Sequence, residues 1–135
     1  MSKKPNIHFS SENQAWSTPQ DFYDKLHKEF NFDLDPCTNG FNSKCTNFFT
    51  IKDDGLSKNW GGHKVFMNPP YGREIKHWIK KAYKESLKEK TLVVCLIPSR
   101  TDTSYWHDYI FEKAHEIRYI RGRLKFGGSK NPAPF

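Results

Sequence analysis

The chain has 135 residues, the size of one domain able to bury a core of roughly two-thirds of its unfolded surface. Its formal charge of +7 favours a polyanionic partner, most simply nucleic acid. No stretch approaches a membrane span and the N-terminus lacks the apolar core of a signal peptide, so a membrane or exported protein is not expected.

Residues 1–15 are polar and without periodicity and read as a flexible N-terminal arm, leaving 16–135 as the single folded domain. Thr18 reads as the cap of a helix with Pro19 at its first position and Asp21 closing a capping box. Phe22, Leu26 and Phe30 recur at helical spacing, and the helix should end near Phe30. Phe32-Asp33-Leu34-Asp35-Pro36 reads as a short strand that stops at an acid and a proline. Phe48-Phe49-Thr50-Ile51 reads as another, followed by a turn at Asp53-Asp54-Gly55-Leu56.

The run Lys64-Val65-Phe66-Met67 is a strand leading into Asn68-Pro69-Pro70-Tyr71. After Gly72 a helix is expected whose inner face is Ile75, Trp78, Ile79, Ala82 and Leu87. Lys76, Lys80, Lys84 and Lys88 lie on another face and read as a solvated stripe. Leu92-Val93-Val94-Cys95-Leu96-Ile97-Pro98 is the continuous apolar pattern of a central parallel strand covered on both faces. A helix through about Ala114, a strand at Ile117-Arg118-Tyr119-Ile120 and a neighbour at Leu124-Lys125-Phe126 complete the chain. Trp78 and Trp106 read as core, while Trp60 fits core and site equally.

Strands alternating with helices imply an α/β fold with a parallel-rich sheet. Ligands of such sheets sit outside the carboxyl ends of the strands, near a switch in strand order. Asp35, Asn68 and Pro98-Ser99-Arg100 all fall at expected strand ends, so one cleft can collect them. Cys37, Cys45 and Cys95 are odd in number and form no C-x-x-C pair, which suits free thiols in a reducing cytoplasm. Cys37, Cys45 and His63 match no common zinc spacing, and no metal is expected.

Asn68-Pro69-Pro70-Tyr71 carries the chemistry. The exocyclic amine of adenine is a poor nucleophile because its lone pair is delocalised into the ring. An Asn side-chain oxygen and a proline carbonyl can each accept one of its N–H bonds. The nitrogen then shifts toward a tetrahedral state, and its developing positive charge is stabilised where it appears. Tyr71 offers a flat face for an extruded base. The plainer alternative is a proline-rich turn after a buried strand. Nearby, Arg73 follows the tetrapeptide, and Arg100 and Asp102 either position DNA or serve as a surface charge and a helix cap. Arg118, Arg121 and Arg123 lie close together as candidates for phosphate contact.

The order of motifs closely resembles the phage-type, Dam-like DNA N6-adenine methyltransferase family. The match runs through Trp16-Ser17-Thr18-Pro19, Leu34-Asp35-Pro36-Cys37, Asp54-Gly55-Leu56 and Asn68-Pro69-Pro70-Tyr71-Gly72. It continues in Leu96-Ile97-Pro98-Ser99-Arg100-Thr101-Asp102-Thr103, Gly122-Arg123-Leu124-Lys125-Phe126 and Ala133-Pro134-Phe135. The resemblance implies a small Rossmann-like methyltransferase that uses S-adenosylmethionine and acts on DNA in a bacterial cell, from a phage or prophage. It implies that Trp16, Thr18 and Pro19 form a cofactor segment near the methionine end. Asp35 and Pro36 would stand on the first cofactor strand, where Cys37-Thr38-Asn39-Gly40 replaces the usual Gly-rich loop. Asp54, or else Asp53, would accept from the cofactor adenine amine, the alternative for both being a turn-forming Asp-Gly. Family members continue past Ala-Pro-Phe into another strand. A chain ending at Phe135 is therefore expected to lack a C-terminal strand, and to be a monomer or a homodimer joined through that edge.

The leading reading is methylation of adenine N6 in DNA. The same chemistry on cytosine N4, an RNA base or a glutamine amide fits the tetrapeptide as well, and a non-catalytic nucleic-acid-binding module with this fold is the alternative of another class. A cytosine-C5 enzyme would need a Cys nucleophile, and Cys37 lies instead on the presumed cofactor strand.

Overall fold

Residues 18–38 and 43–121 are described by the computed structural model. The expected arm at 1–15, Trp16, Arg123, the pairing at 124–126 and the C-terminal edge all lie outside them. Four parallel strands form one sheet: β1 (Leu34–Asp35), β2 (Asn47–Phe48), β3 (Lys64–Met67) and β4 (Leu92–Cys95), in the order β2-β1-β3-β4. Among the described residues two α-helices accompany them, α1 (Gln20–Phe30) and α2 (Ile75–Ser86).

The period of β3 divides the core. Val65 and Met67 join one buried cluster with Leu34, Trp60 and the inner face of α2, namely Ile75, Trp78, Ile79 and Ala82. Phe66 points the other way, into a cluster with Tyr23 of α1, Phe32, Cys45 and Leu96. The sheet is thus covered by a helix on each face, and β3 is buried between them. The result is a small α/β fold with a parallel sheet.

Several expectations are corrected. Thr18 does not cap α1: no side chain does, Pro19 occupies the cap position, and its carbonyl accepts from Tyr23 N at 3.0 Å. Asp21 closes no capping box, and its carboxylate accepts from the adjacent Phe22 N at 2.9 Å. Helix α1 stops where expected because Asn31 turns left-handed, with φ 58°, and its N–H caps the His27 carbonyl. The second strand is shifted to Asn47–Phe48, and Phe49 leaves it to exchange bonds with Asp35 and Thr38 around the end of β1.

Leu87 is 69% exposed, and the inner position expected for it is filled by Glu85, which is buried. Glu85 accepts from Trp60 N at 2.6 Å and from Lys88 Nζ at 2.9 Å, so its charge is satisfied where a hydrophobe was anticipated. The other lysines of the stripe, Lys76, Lys80 and Lys84, are exposed.

Strand β4 stands last in the sheet formed by the described residues, and Val93, Val94 and Cys95 are half buried among them. The run Ile117-Arg118-Tyr119-Ile120, expected to be a strand, makes no sheet pairing with the described residues and is exposed among them. Arg118 draws it onto α1 by a bidentate pair with Glu29 at 2.6 and 2.8 Å, above the ring of Phe30. The helix expected through Ala114 contracts to a wide turn at Trp106–Ile110, closed by Phe111 N on the Trp106 carbonyl. No helix among the described residues is long and apolar enough to cross a membrane.

Candidate active site

In the order β2-β1-β3-β4 the chain leaves β1 toward one edge and returns to build β3 and β4 on the other side. The carboxyl ends of β1 and β3 are therefore neighbours at a switch point, the usual ligand crevice of an open parallel sheet. The register Leu34↔Val65 sets Cys37 level with Asn68, and Cys37 Sγ donates to the Asn68 carbonyl at 3.5 Å.

Asn68 is half buried directly after β3. Its Nδ2 donates to Thr18 Oγ1 at 3.0 Å, and its Oδ1 accepts from the Tyr71 hydroxyl at 3.1 Å. Pro69 is fully buried and Pro70 half buried, so the backbone that offers their carbonyls is stiff and held. Gly72, with φ 97°, then turns the chain into α2 through a conformation that side chains disfavour. The Tyr71 hydroxyl also lies 3.3 Å from the Leu96 carbonyl beyond β4. Burial, with lesser contributions from Cys37 and Tyr105, raises Tyr71 far above an ordinary phenol, so it stays a proton donor.

Asp35 is buried at the end of β1, and its carboxylate accepts from Cys37 N at 3.3 Å. Burial pushes it up to about 6, against the pull of the Cys37 and Lys44 N–H groups and the Lys44 charge. Beside it, Pro36 is fully buried and in close contact with Gly55, where an added Cβ would meet the Pro36 carbonyl oxygen at 2.0 Å. This close approach brings Asp54, exposed and with φ 57°, alongside the end of β1. Asp53 takes the other reading: its Oδ2 accepts from Thr50 N at 2.9 Å and Thr50 Oγ1 at 3.1 Å, closing its own turn. Trp60 is core, buried beneath this turn with its Nε1–H donated to the Gly55 carbonyl at 3.0 Å.

The thiols next to the crevice are unsuited to attack. Burial, the Asp35 charge and Cys95 raise Cys37 well above an ordinary thiol, and burial lifts Cys95 to about 12. Neither shift favours the thiolate that cytosine-C5 chemistry uses. Among the described residues no three His, Cys, Asp or Glu side chains group as metal ligands.

The structure therefore bonds Asn68 to Thr18 and Tyr71, sets Cys37, just past Asp35 and Pro36, against the Asn68 carbonyl, and leaves Asp54 exposed on the turn beside Pro36. Arg73, Arg100 and Asp102 stand exposed on the segments that follow β3 and β4. Arg121 is exposed farther along. Arg118 is set apart, since Glu29 and Glu116 hold its guanidinium and raise its already high pKa. Two contacts had no local signal in the sequence: the Thr18 hydroxyl on Asn68, and the Tyr71 hydroxyl on the Leu96 carbonyl.

Residues 6–133 match the family described as DNA N-6-adenine-methyltransferase (Dam). The chain is 32% identical over 119 residues to the DNA N-6-adenine-methyltransferase of Haemophilus phage HP1 (strain HP1c1), covering 86% of this chain and 68% of that protein. It is 31% identical over 112 residues to the DNA N-6-adenine-methyltransferase of Escherichia phage T1, covering 81% of this chain and 45% of that protein. No solved structure matches the chain. With a match running over nearly its whole length, the chain belongs to the DNA N-6-adenine-methyltransferase (Dam) family.

Proposed function

We propose that the chain transfers the methyl group of S-adenosylmethionine to N6 of adenine in DNA, on a Rossmann-like methyltransferase fold, with Asn68-Pro69-Pro70-Tyr71 as the site of the target amine. The observation that carries this is the placement of Asn68 at the switch point of a parallel sheet in a chain of this family.

The crevice suits the cofactor chemically. The ammonium and the adenine amine of the cofactor need acceptor partners, and Asp35 and Asp54 supply carboxylates beside the close contact between Pro36 and Gly55. Thr18 and Pro19 border the same end of the crevice through Asn68. When bound, S-adenosylmethionine supplies an electrophilic methyl. The residues of the chain do the rest. Asn68 Oδ1 and the Pro69 carbonyl accept the two N–H bonds of the flipped amine, and their partial charges stabilise the cation that forms on it. The Tyr71 ring stacks on the base, and the pair of acceptors aims the lone pair in line with the methyl. Arg73 and Arg100 meet phosphates at the rim, drawn there by the overall charge of +7.

The test is transfer of tritiated methyl from S-adenosylmethionine to DNA and to RNA, followed by nucleoside analysis. Label in N6-methyl-2′-deoxyadenosine from DNA is the expected result. Label in N4-methyl-2′-deoxycytidine, or in RNA alone, would move the activity to another amine. Cofactor binding with no transfer to either polymer would make the chain a binding module.

A further inference from the structure

We propose that Thr18 is a positioning residue for the reaction: its buried hydroxyl holds the nitrogen end of the Asn68 side-chain amide, which leaves the oxygen for the target amine. The inference rests on the methyl-transfer reading and adds to it a residue whose resemblance-based role was cofactor contact.

A primary amide has nearly the same shape when rotated by half a turn, but its chemistry reverses. Asn68 presenting its NH2 group to an adenine NH2 group would set donor against donor, and the nitrogen lone pair would gain no direction. Among the described residues two hydroxyls bond the amide in the productive rotation, and since a hydroxyl can donate or accept, they hold this rotation rather than forbid the other. Asn68 Nδ2 donates to Thr18 Oγ1 at 3.0 Å, and Asn68 Oδ1 accepts from the Tyr71 hydroxyl at 3.1 Å. The first can last through catalysis. The target amine needs Oδ1 for itself, so the Tyr71 hydroxyl must yield that oxygen when the base arrives. Thr18 holds the opposite end of the amide and does not compete with the substrate.

The placement of Thr18 is not incidental. Its side chain is buried, with the residue only 5% exposed. It precedes Pro19, whose fixed φ begins α1. Helix α1 in turn is keyed to β3, for the Tyr23 ring meets the Phe66 ring edge-on at 5.2 Å. Phe66 is on the same strand as the approach to Asn68, two residues before it. The hydroxyl is thus carried to the amide by a rigid path through the core.

The experiment compares Thr18→Val, which keeps the shape and loses the hydroxyl, with Thr18→Ser, which keeps the hydroxyl. Three quantities are read: the dissociation constant for S-adenosylmethionine by calorimetry, the single-turnover rate at saturating cofactor with adenine-containing DNA, and the side-chain amide resonances of Asn68. Those resonances are identified in ¹⁵N-labelled protein by their loss in Asn68→Asp. We expect Thr18→Val to slow single turnover by about a hundredfold, as misplacement of a reacting group does, with cofactor affinity held within about threefold. The Asn68 amide signals should shift and exchange faster with water, and Thr18→Ser should restore rate and signals together. A Thr18→Val protein with wild-type turnover at saturation and weakened cofactor binding would overturn the proposal in favour of a cofactor contact alone. So would a Thr18→Ser variant as slow as Thr18→Val. If Thr18→Val does not fold, Thr18→Ala replaces it with the same readouts. If the wild-type chain methylates no adenine, the functional reading fails by itself, and the amide resonances still decide whether Thr18 holds Asn68.

Discussion

The Tyr71 hydroxyl donates to Asn68 Oδ1 over 3.1 Å, the oxygen proposed above to receive the adenine amine. The proposed site therefore rests with its acceptor occupied. Binding a base exchanges one donor for another, so the acceptor is never left bare in the crevice.

Asn68→Ala should lower methyl transfer by about a hundredfold or more, with the fold retained, because it deletes an acceptor used mainly in the transition state. Tyr71→Ala should be comparably severe through loss of the stacking face. Tyr71→Phe should be mild in turnover, since removing the hydroxyl frees Oδ1 and leaves the ring. Steady-state kinetics on the three variants check this, and a Tyr71→Phe enzyme as inactive as Tyr71→Ala would assign the hydroxyl a chemical role.

The arginines should separate by salt dependence. Binding to DNA should weaken steeply as salt rises, through counterion release. Arg100→Ala, at an exposed residue beyond β4, should reduce the slope of log K against log salt by about one. Arg118→Ala should leave that slope unchanged and lower the melting temperature instead, since Arg118 is committed to Glu29 and Glu116. Fluorescence anisotropy at several salt concentrations distinguishes the two.

Glu85→Ala should cost about 2–4 kcal/mol of stability, because it strands the buried Trp60 N–H and the two lysines that face the carboxylate. Glu85→Gln, which keeps an acceptor, should cost less. Burial acts to raise this carboxyl, but the Lys88 and Trp60 N–H bonds and the Lys81 charge outweigh it and hold it below its usual range. Its contribution is therefore present above the ordinary carboxylate pKa and lost as pH falls through the lowered one. Urea titrations of the three proteins at neutral and acidic pH measure both effects.

Asp35 has the opposite sign. Its carboxyl is raised from 3.8 to about 6, so the folded chain holds this proton more tightly than the unfolded one. The stabilisation is complete below the unfolded value and is lost as pH rises through about 6. Asp35→Asn should flatten the fall in stability across that window, which amounts to roughly 3 kcal/mol for a shift of this size. Cofactor binding should run the other way and tighten in the wild type as pH rises past 6, where the carboxylate can face a cation. Calorimetry from acidic to neutral pH would show it, and a pH-independent affinity would remove Asp35 from the cofactor site.

The legible parts of this chain are those governed by local periodicity. Val65, Phe66 and Met67 announce a strand buried on both faces, and Ile75, Trp78, Ile79 and Ala82 announce the inner stripe of α2. Asn68-Pro69-Pro70-Tyr71 is legible because four adjacent residues hold its chemistry. Where the sequence misled, a distant partner intervened. Glu85 is polar in sequence and buried in structure because Trp60 N and two lysines satisfy it. Arg118 seemed free for phosphate until Glu29, far back in the chain, claimed it. Thr18 had the composition of a helix cap, but its hydroxyl found a better-buried partner in Asn68.

Asn68 is also where distant stretches of chain converge. Its amide bonds Thr18 across 50 positions, its carbonyl receives Cys37 across 31, and Tyr71 ties the turn to Leu96 across 25. Contacts of such high sequence separation close only after the sheet has assembled, so the acceptor geometry should be among the last features to form in folding. It cannot be transplanted as a tetrapeptide. Local opening of any of these segments disperses the geometry while the rest of the sheet stays intact. Heat should therefore abolish activity at or below the temperature at which the sheet melts, never above it.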